Sequence, residues 1–190
     1  MGNKEKIDTE FVELQRRCLK NNSVLIFASA VTKNGKSIIF CGDTYSGKSR
    51  NAIKYARKGW KILGDDYILL KEGYIYKTFL GPIHIKNTDG IKIPLKKLPL
   101  HYFYKIVRFF TNKKPHISLN TKELGFETAK KAKIDKVIIL GNLKGNTIAE
   151  KIFNNSKKKG RFDLDKRKDT QYFLSLMYKI IKKNLKRRAK

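Results

Sequence analysis

Residues 42–49 read Gly-Asp-Thr-Tyr-Ser-Gly-Lys-Ser, a complete G-x-x-x-x-G-K-S pattern. An apolar, strand-like run from Ser37 to Cys41 leads into it, and a helix-like run from Asn51 to Lys58 leads out. Strand, glycine-rich turn and helix in that order make a phosphate-binding loop and point to the α/β class. Gly42 and Gly47 allow the tight backbone path that turns N–H groups onto phosphate oxygens, and the positive end of the following helix adds to them. Lys48 would reach the β- and γ-phosphates as a point charge, and the Ser49 hydroxyl would ligate Mg²⁺. The expected cradle is Gly42, Asp43, Thr44, Tyr45, Ser46, Gly47, Lys48 and Ser49, and the expected ligand is a nucleoside triphosphate with a metal ion.

Phosphoryl chemistry also needs an acidic group, to hold the metal or to accept a proton. Gly64-Asp65-Asp66 supplies one at a suitable distance. A helix from Lys48 to Lys58 descends about 16 Å at ~1.5 Å per residue, and Gly59 closes it. A strand from Trp60 to Gly64 climbs back about 17 Å at ~3.3 Å per residue. The two lengths match, so Asp65 and Asp66 are expected beside the loop, at the carboxyl ends of parallel strands.

The stretch from Ser37 to Leu70 resembles the catalytic domain of HPr kinase/phosphorylase and its shorter relatives, the HPr-kinase-like protein and peptide serine kinases. Their pattern is a G-x-S-G-x-G-K-S loop, a helix, a Lys/Arg-Gly turn, a short strand, then a small residue and Asp-Asp. Here it runs from Gly42 to Ser49, then Arg57-Lys58-Gly59-Trp60-Lys61-Ile62-Leu63-Gly64-Asp65-Asp66, without a gap. A weaker echo lies upstream in Ala28-Ser29-Ala30-Val31 and the turn at Asn34-Gly35. The resemblance implies one α/β domain over residues 1–190, of the P-loop-containing HPr-kinase/PEP-carboxykinase-like type, with a mixed sheet flanked by helices. It implies ATP- and Mg²⁺-dependent transfer of phosphate to a serine hydroxyl on a small protein or peptide. Asp65 would be the catalytic base, Lys48 and the loop the phosphate cradle, and Ser49 and Asp66 the metal ligands. The chain departs from the pattern at several positions. Phe27 stands where the family carries a histidine, Tyr45 replaces the second loop glycine, and Arg50 replaces a glutamate. A downstream family glutamate aligns with His84, ahead of Lys86. These departures bear on the reverse, phosphorolytic reaction and leave open a pseudoenzyme that binds nucleotide without turnover.

Lysine and arginine number 44 against 16 acids, for a net charge of +28. Such a charge favours anionic partners, whether nucleotides, nucleic acid, acidic peptides or a membrane surface. A hydrophobic fraction of 41% excludes overall disorder and supports a genuine core. Cys18 and Cys41 fall in separate elements, so no disulfide framework is indicated and a cytoplasmic location is the default. His84, His101 and His116 have no zinc-ligand spacing with the cysteines. The apolar runs are too short to span a bilayer, and the start has no signal-peptide core.

Ile7, Phe11, Leu14 and Cys18 recur at helical spacing and predict a docking helix over Asp8–Lys20. Val24–Val31 and Ser37–Cys41 should form a hairpin through Lys33-Asn34-Gly35-Lys36, and Tyr67–Leu70 with Tyr74–Tyr76 a second through Lys71-Glu72-Gly73. Prolines break residues 77–120 into short pieces. Within them Leu100–Phe110 mixes aromatic and basic residues, which suits a base-stacking surface or, preferably, a buried segment with snorkelling basic ends. Lys133–Leu140 reads as a buried sheet strand. After a basic loop, Lys157–Arg161, Asp169-Thr170 should cap a final basic helix over about 169–190. Its inward face would carry Leu174, Met177, Tyr178, Ile181 and Leu185.

Three functions fit these features. The favoured one is a kinase acting on a serine of a protein or peptide. The second is a nucleic-acid-associated NTPase or a nucleotide-binding pseudoenzyme, with the basic tail as footprint. The third is a kinase for a small molecule. Nucleic acid is compatible with the charge but not favoured as a partner, and a homo-oligomer is compatible with the sequence.

Overall fold

The computed structural model describes residues 12–78, 83–85, 95–110, 117–157 and 167–185. Strand β1 (Ser23–Lys33) lies at the centre of the main sheet, and ten of its eleven residues are buried. β2 (Lys36–Gly42) returns antiparallel to it through Asn34 (φ 51) and Gly35 (φ 73). Two positive φ values in succession are what a tight hairpin turn needs. On the other edge of β1 lie β3 (Lys61–Gly64), opposite Ala30–Thr32, and β4 (Tyr67–Lys71), opposite Ser23–Phe27. Asp65 and Asp66 join these two collinear strands. β5 (Tyr74–Tyr76) pairs back on β4 through Glu72 (φ 52) and Gly73 (φ 87). A separate pair is formed by β6 (Ile83–Ile85) and β7 (Ile117–Leu119). β8 (Lys131–Lys133) borders β5, and β9 (Lys136–Leu140) runs parallel to β2.

The order β8-β5-β4-β1-β2-β9 puts β8 and β9 at opposite ends, yet only Ile134 and Asp135 connect them. Three Cα steps reach about 11 Å. Five flat strand spacings of ~4.8 Å would need about 24 Å. The sheet is therefore coiled. Buried Ser37 clasps it, its Oγ donating to Lys133 O at 2.6 Å and accepting from Asp135 N at 3.2 Å.

Helices flank this mixed sheet: α1 over residues 12–20, α2 (Lys48–Ala56), α4 (Ile148–Lys157) and α5 (Arg167–Leu185), while α3 (Leu98–Phe110) follows the turn over residues 95–97. Alternation along β2 sends Ile39 and Cys41 to one face and Ile38 and Phe40 to the other. α4 and α5 cover the first with Ile152, Phe153, Phe173 and Met177. α2 covers the second with Ala52, Ile53 and Ala56, joined by Ile83 and Leu119 from the small sheet. Among the described residues no helix is long and apolar enough to cross a membrane.

Several expectations need correction. α1 buries Gln15, Cys18 and Leu19 and leaves Leu14 exposed, because Gln15 turns inward to accept the Leu25 N–H. Asp169 and Thr170 lie within the first turn of α5 rather than ahead of it. The buried side of α5 is Phe173, Leu176, Met177, Ile180 and Ile181, with Tyr178 exposed. β9 is an edge strand and only half-buried from Val137 to Leu140. Leu100–Phe110 is helical, but its apolar side chains are largely exposed rather than buried. Ile7, Phe11, Lys86, His116, the loop over 158–166 and the tip over 186–190 fall outside the described residues.

Phe173 is fully buried with its ring 5.3 Å from that of Phe153. Phe173→Ala should cost about 3–5 kcal/mol, read as a lowered urea midpoint. An unchanged midpoint would show that α5 does not hold the first face.

Candidate functional site

The glycine-rich loop leaves β2 at Gly42 and enters α2 at Lys48. Gly42 has no room for a side chain, since a Cβ there would sit 2.3 Å from Ser46 Oγ and 2.6 Å from Leu140 O. Gly47 takes φ 94 and caps α2 without a side-chain hydrogen bond. The first turn of α2 holds no acid, so nothing within it neutralises the positive helix end. Tyr45 takes the left-handed φ of 68 with its ring exposed. The strain expected of a tyrosine at a glycine position is present, at about 1–3 kcal/mol. Thr44 Oγ1 and Ser46 Oγ are enclosed without a hydrogen-bond partner. Each such buried hydroxyl costs about 1–3 kcal/mol until something engages it.

Lys48 is 5% exposed. Its ammonium donates to Gly42 O and Asp43 O, both at 2.9 Å, and stands 4.0 Å from the centroid of the Phe27 ring. Gly42 O also accepts from Asn155 Nδ2 of α4 at 2.9 Å.

β1 sets the acidic pair against this loop. Ala28 pairs on one side with Cys41, the residue before Gly42. On the other side its N–H donates to Asp66 O at 3.1 Å. Asp66 takes φ 65, and Tyr67 N donates to Asp65 O at 2.8 Å. The Asp65 side chain turns inward, 7% exposed, and accepts a hydrogen bond from the Ser29 hydroxyl, with the Ser49 hydroxyl and the charge of Lys48 close enough to lower its pKa. Asp65, Ser49 and Lys48 are therefore together, as the strand lengths predict, but by another route. β2 and β3 run in the same direction with antiparallel β1 between them. The aspartates occupy a break in a strand line, not a crevice between neighbouring parallel strands.

Burial raises the Asp65 pKa above the ordinary carboxylate range, and the neighbouring Asp66 charge adds to the rise. The Ser29 and Ser49 hydroxyls and the charge of Lys48 act the other way without cancelling it. Burial pushes the Cys41 thiol up to about 12, despite Lys48 nearby, so no thiolate nucleophile is held there. No group of three or more His, Cys, Asp or Glu side chains that could hold a metal converges among the described residues.

Two neighbours of the site were not foreseen as functional. Ser29 carries a faint signal, a small hydroxyl inside an apolar strand. Asn155 carries none, since it meets Gly42 across 113 positions. His84 lies in β6, with its backbone opposite Ser118.

No known family profile matches the chain. It is similar to HPr kinase/phosphorylase of Mycoplasmopsis pulmonis (strain UAB CTIP), 26% identical over 118 residues, which cover 55% of this chain and 38% of that protein. The chain thus spans well under half of that relative's length. The match supports a distant relationship to that family.

Gly42→Ala should lower stability by about 1–3 kcal/mol in chemical denaturation, because Leu140 O is backbone and cannot swing aside. Wild-type stability there would mean the loop repacks freely. Asp65 gives a pH signature. Its raised pKa contributes stability that is present below the unfolded value of about 3.9 and lost as pH rises through the folded value. Asp65→Asn removes that titration, so the variant's stability relative to wild type should increase with pH across this window. A flat difference would show an unperturbed carboxylate.

Proposed function

We propose that the chain transfers the γ-phosphate of ATP to a serine hydroxyl of a small protein or peptide. The observation that carries this reading is the buried Asp65 carboxylate, bonded to the Ser29 hydroxyl and within electrostatic reach of Ser49 and Lys48 at the junction of the loop and α2. The enclosed Thr44 and Ser46 hydroxyls and the start of α2, which has neither a side-chain cap nor an acid in its first turn, suit an anion with several oxygens. Ser49 and Asp66 would hold Mg²⁺, an ion that takes one or two carboxylates and fills its shell with phosphate and water oxygens. When bound, the ion offsets charge on the phosphates.

Lys48 binds the phosphates as a fixed point charge. Asp65 takes the proton of the acceptor hydroxyl as that oxygen bonds to the γ-phosphorus and the bond to the ADP oxygen breaks. A carboxylate with a raised pKa is a stronger base for this step than an ordinary one. Ser29 keeps the carboxylate oriented. The free, buried cysteines fit a reducing compartment, and the reading includes a cytoplasmic location. Phe27 on Lys48 favours a second reading, nucleotide binding without transfer, because the family histidine would sit there.

The test is incubation with γ-labelled ATP, Mg²⁺ and a panel of small proteins and peptides. Wild type should label an acceptor serine, and Lys48→Ala and Asp65→Ala should each reduce labelling by about 10²-fold or more. Full transfer by both variants would overturn the assignments. Tight ATP binding with every acceptor unlabelled would select the second reading, and label on a metabolite would move the acceptor to a small molecule.

A further inference from the structure

α3 inverts the rule for a helix on a globular protein, whose apolar stripe faces the core. Tyr102, Ile106, Phe109 and Phe110 recur at helical spacing on one side of it and are 59%, 56%, 85% and 78% exposed. Leu95, in the turn just before, is 83% exposed. Every charged residue from 95 to 110 is basic: Lys96, Lys97, Lys105 and Arg108. Lys97 is engaged with Ser118 O and Glu123, whereas the side chains of Lys96 and Lys105 are exposed. At roughly 100° per residue, Lys105 flanks the side that carries Tyr102 and Phe109. Thirteen residues of helix reach about 20 Å, too short to cross a hydrocarbon core of ~30 Å.

We propose that α3 lies in the surface of an anionic lipid bilayer, with its aromatic side at the boundary of headgroups and acyl chains and Lys105 and the preceding Lys96 against the lipid phosphates. Charge selects this occupant. A second copy of the chain brings the same +28 and the same basic turn, so like charges oppose α3-to-α3 pairing. Single-stranded nucleic acid supplies negative charge and base faces, but no apolar phase for the aliphatic Leu95 and Ile106. An anionic bilayer supplies both terms at once, apolar depth and surface charge. The inference stands on α3 and does not depend on the chemistry at Asp65.

The test uses the full chain and vesicles of phosphatidylcholine with or without phosphatidylglycerol at physiological salt. Phe109→Trp should be quenched by lipids brominated in the acyl chain when phosphatidylglycerol is present, above the background from Trp60 in wild type. The combined variant Tyr102→Ser, Ile106→Ser, Phe109→Ser should keep its circular dichroism and bind these vesicles about tenfold more weakly. Vesicle binding by the folded variant equal to wild type would reduce the interaction to net charge and overturn the proposal. So would the absence of bromine quenching. Self-association or oligonucleotide binding that the combined variant loses, with no quenching in Phe109→Trp, would assign the face to a second copy or to nucleic acid instead.

Discussion

Ala28 donates its N–H to Asp66 O at 3.1 Å on one edge of β1 and pairs with Cys41 on the other. Those two backbone links put the aspartate pair and the start of the glycine-rich loop at one level of one strand. A slip of one residue would turn every side chain of β1 to the opposite face and separate Ala28 from both partners. The burial of ten of its eleven residues makes such a slip very costly. Ser49 and Asp65 therefore meet because a hydrogen-bond ladder brings their backbones together, not because long side chains reach for each other.

The charges at this meeting point are only partly compensated. Taking a carboxylate out of water costs several kcal/mol even after relaxation. A hydrogen bond to a charged group restores about 1.5–3 kcal/mol. The Ser29 and Ser49 hydroxyls and nearby Lys48 do not close the gap, and so burial dominates at Asp65. Lys48 is held by two carbonyls and an aromatic face, the last contributing about 2 kcal/mol when desolvated. With Thr44 and Ser46 hydroxyls enclosed and unengaged, the region has polar capacity that the fold itself leaves unused. Perturbed, under-compensated groups of this kind make a region a candidate functional site.

The local grammar of the chain was readable. Asn34-Gly35 and Glu72-Gly73 make their hairpins because both pairs adopt positive φ, and the helix-then-strand arithmetic after Gly47 does return Asp65 to Ser49. What escaped was set by tertiary packing. The position of β1 between β2 and β3 follows from pairing, to which strand lengths are blind. Asn155 reaches Gly42 from a distant helix whose sequence pattern shows only an apolar stripe. Several apolar residues of α5 fit more than one helical face, and Phe173 and Ile180 rather than Tyr178 point inward because they fill space over the sheet. α3 escaped for the opposite reason: its pattern is amphipathic, and periodicity cannot tell which side a helix presents to the fold.

The clasp at Ser37 has a temporal meaning. Its partner Lys133 lies 96 positions later in the chain, and β9, the outer neighbour of β2, comes after that. During synthesis at ~5–20 residues per second, the apolar edge of β2 would wait roughly 5–20 s for the strand that covers it. Ile38-Ile39-Phe40-Cys41 is the kind of open edge on which nascent chains stick to one another. The strand that launches the glycine-rich loop thus stays open on one side until β9 has been made, and Asn155 can reach Gly42 O only after that.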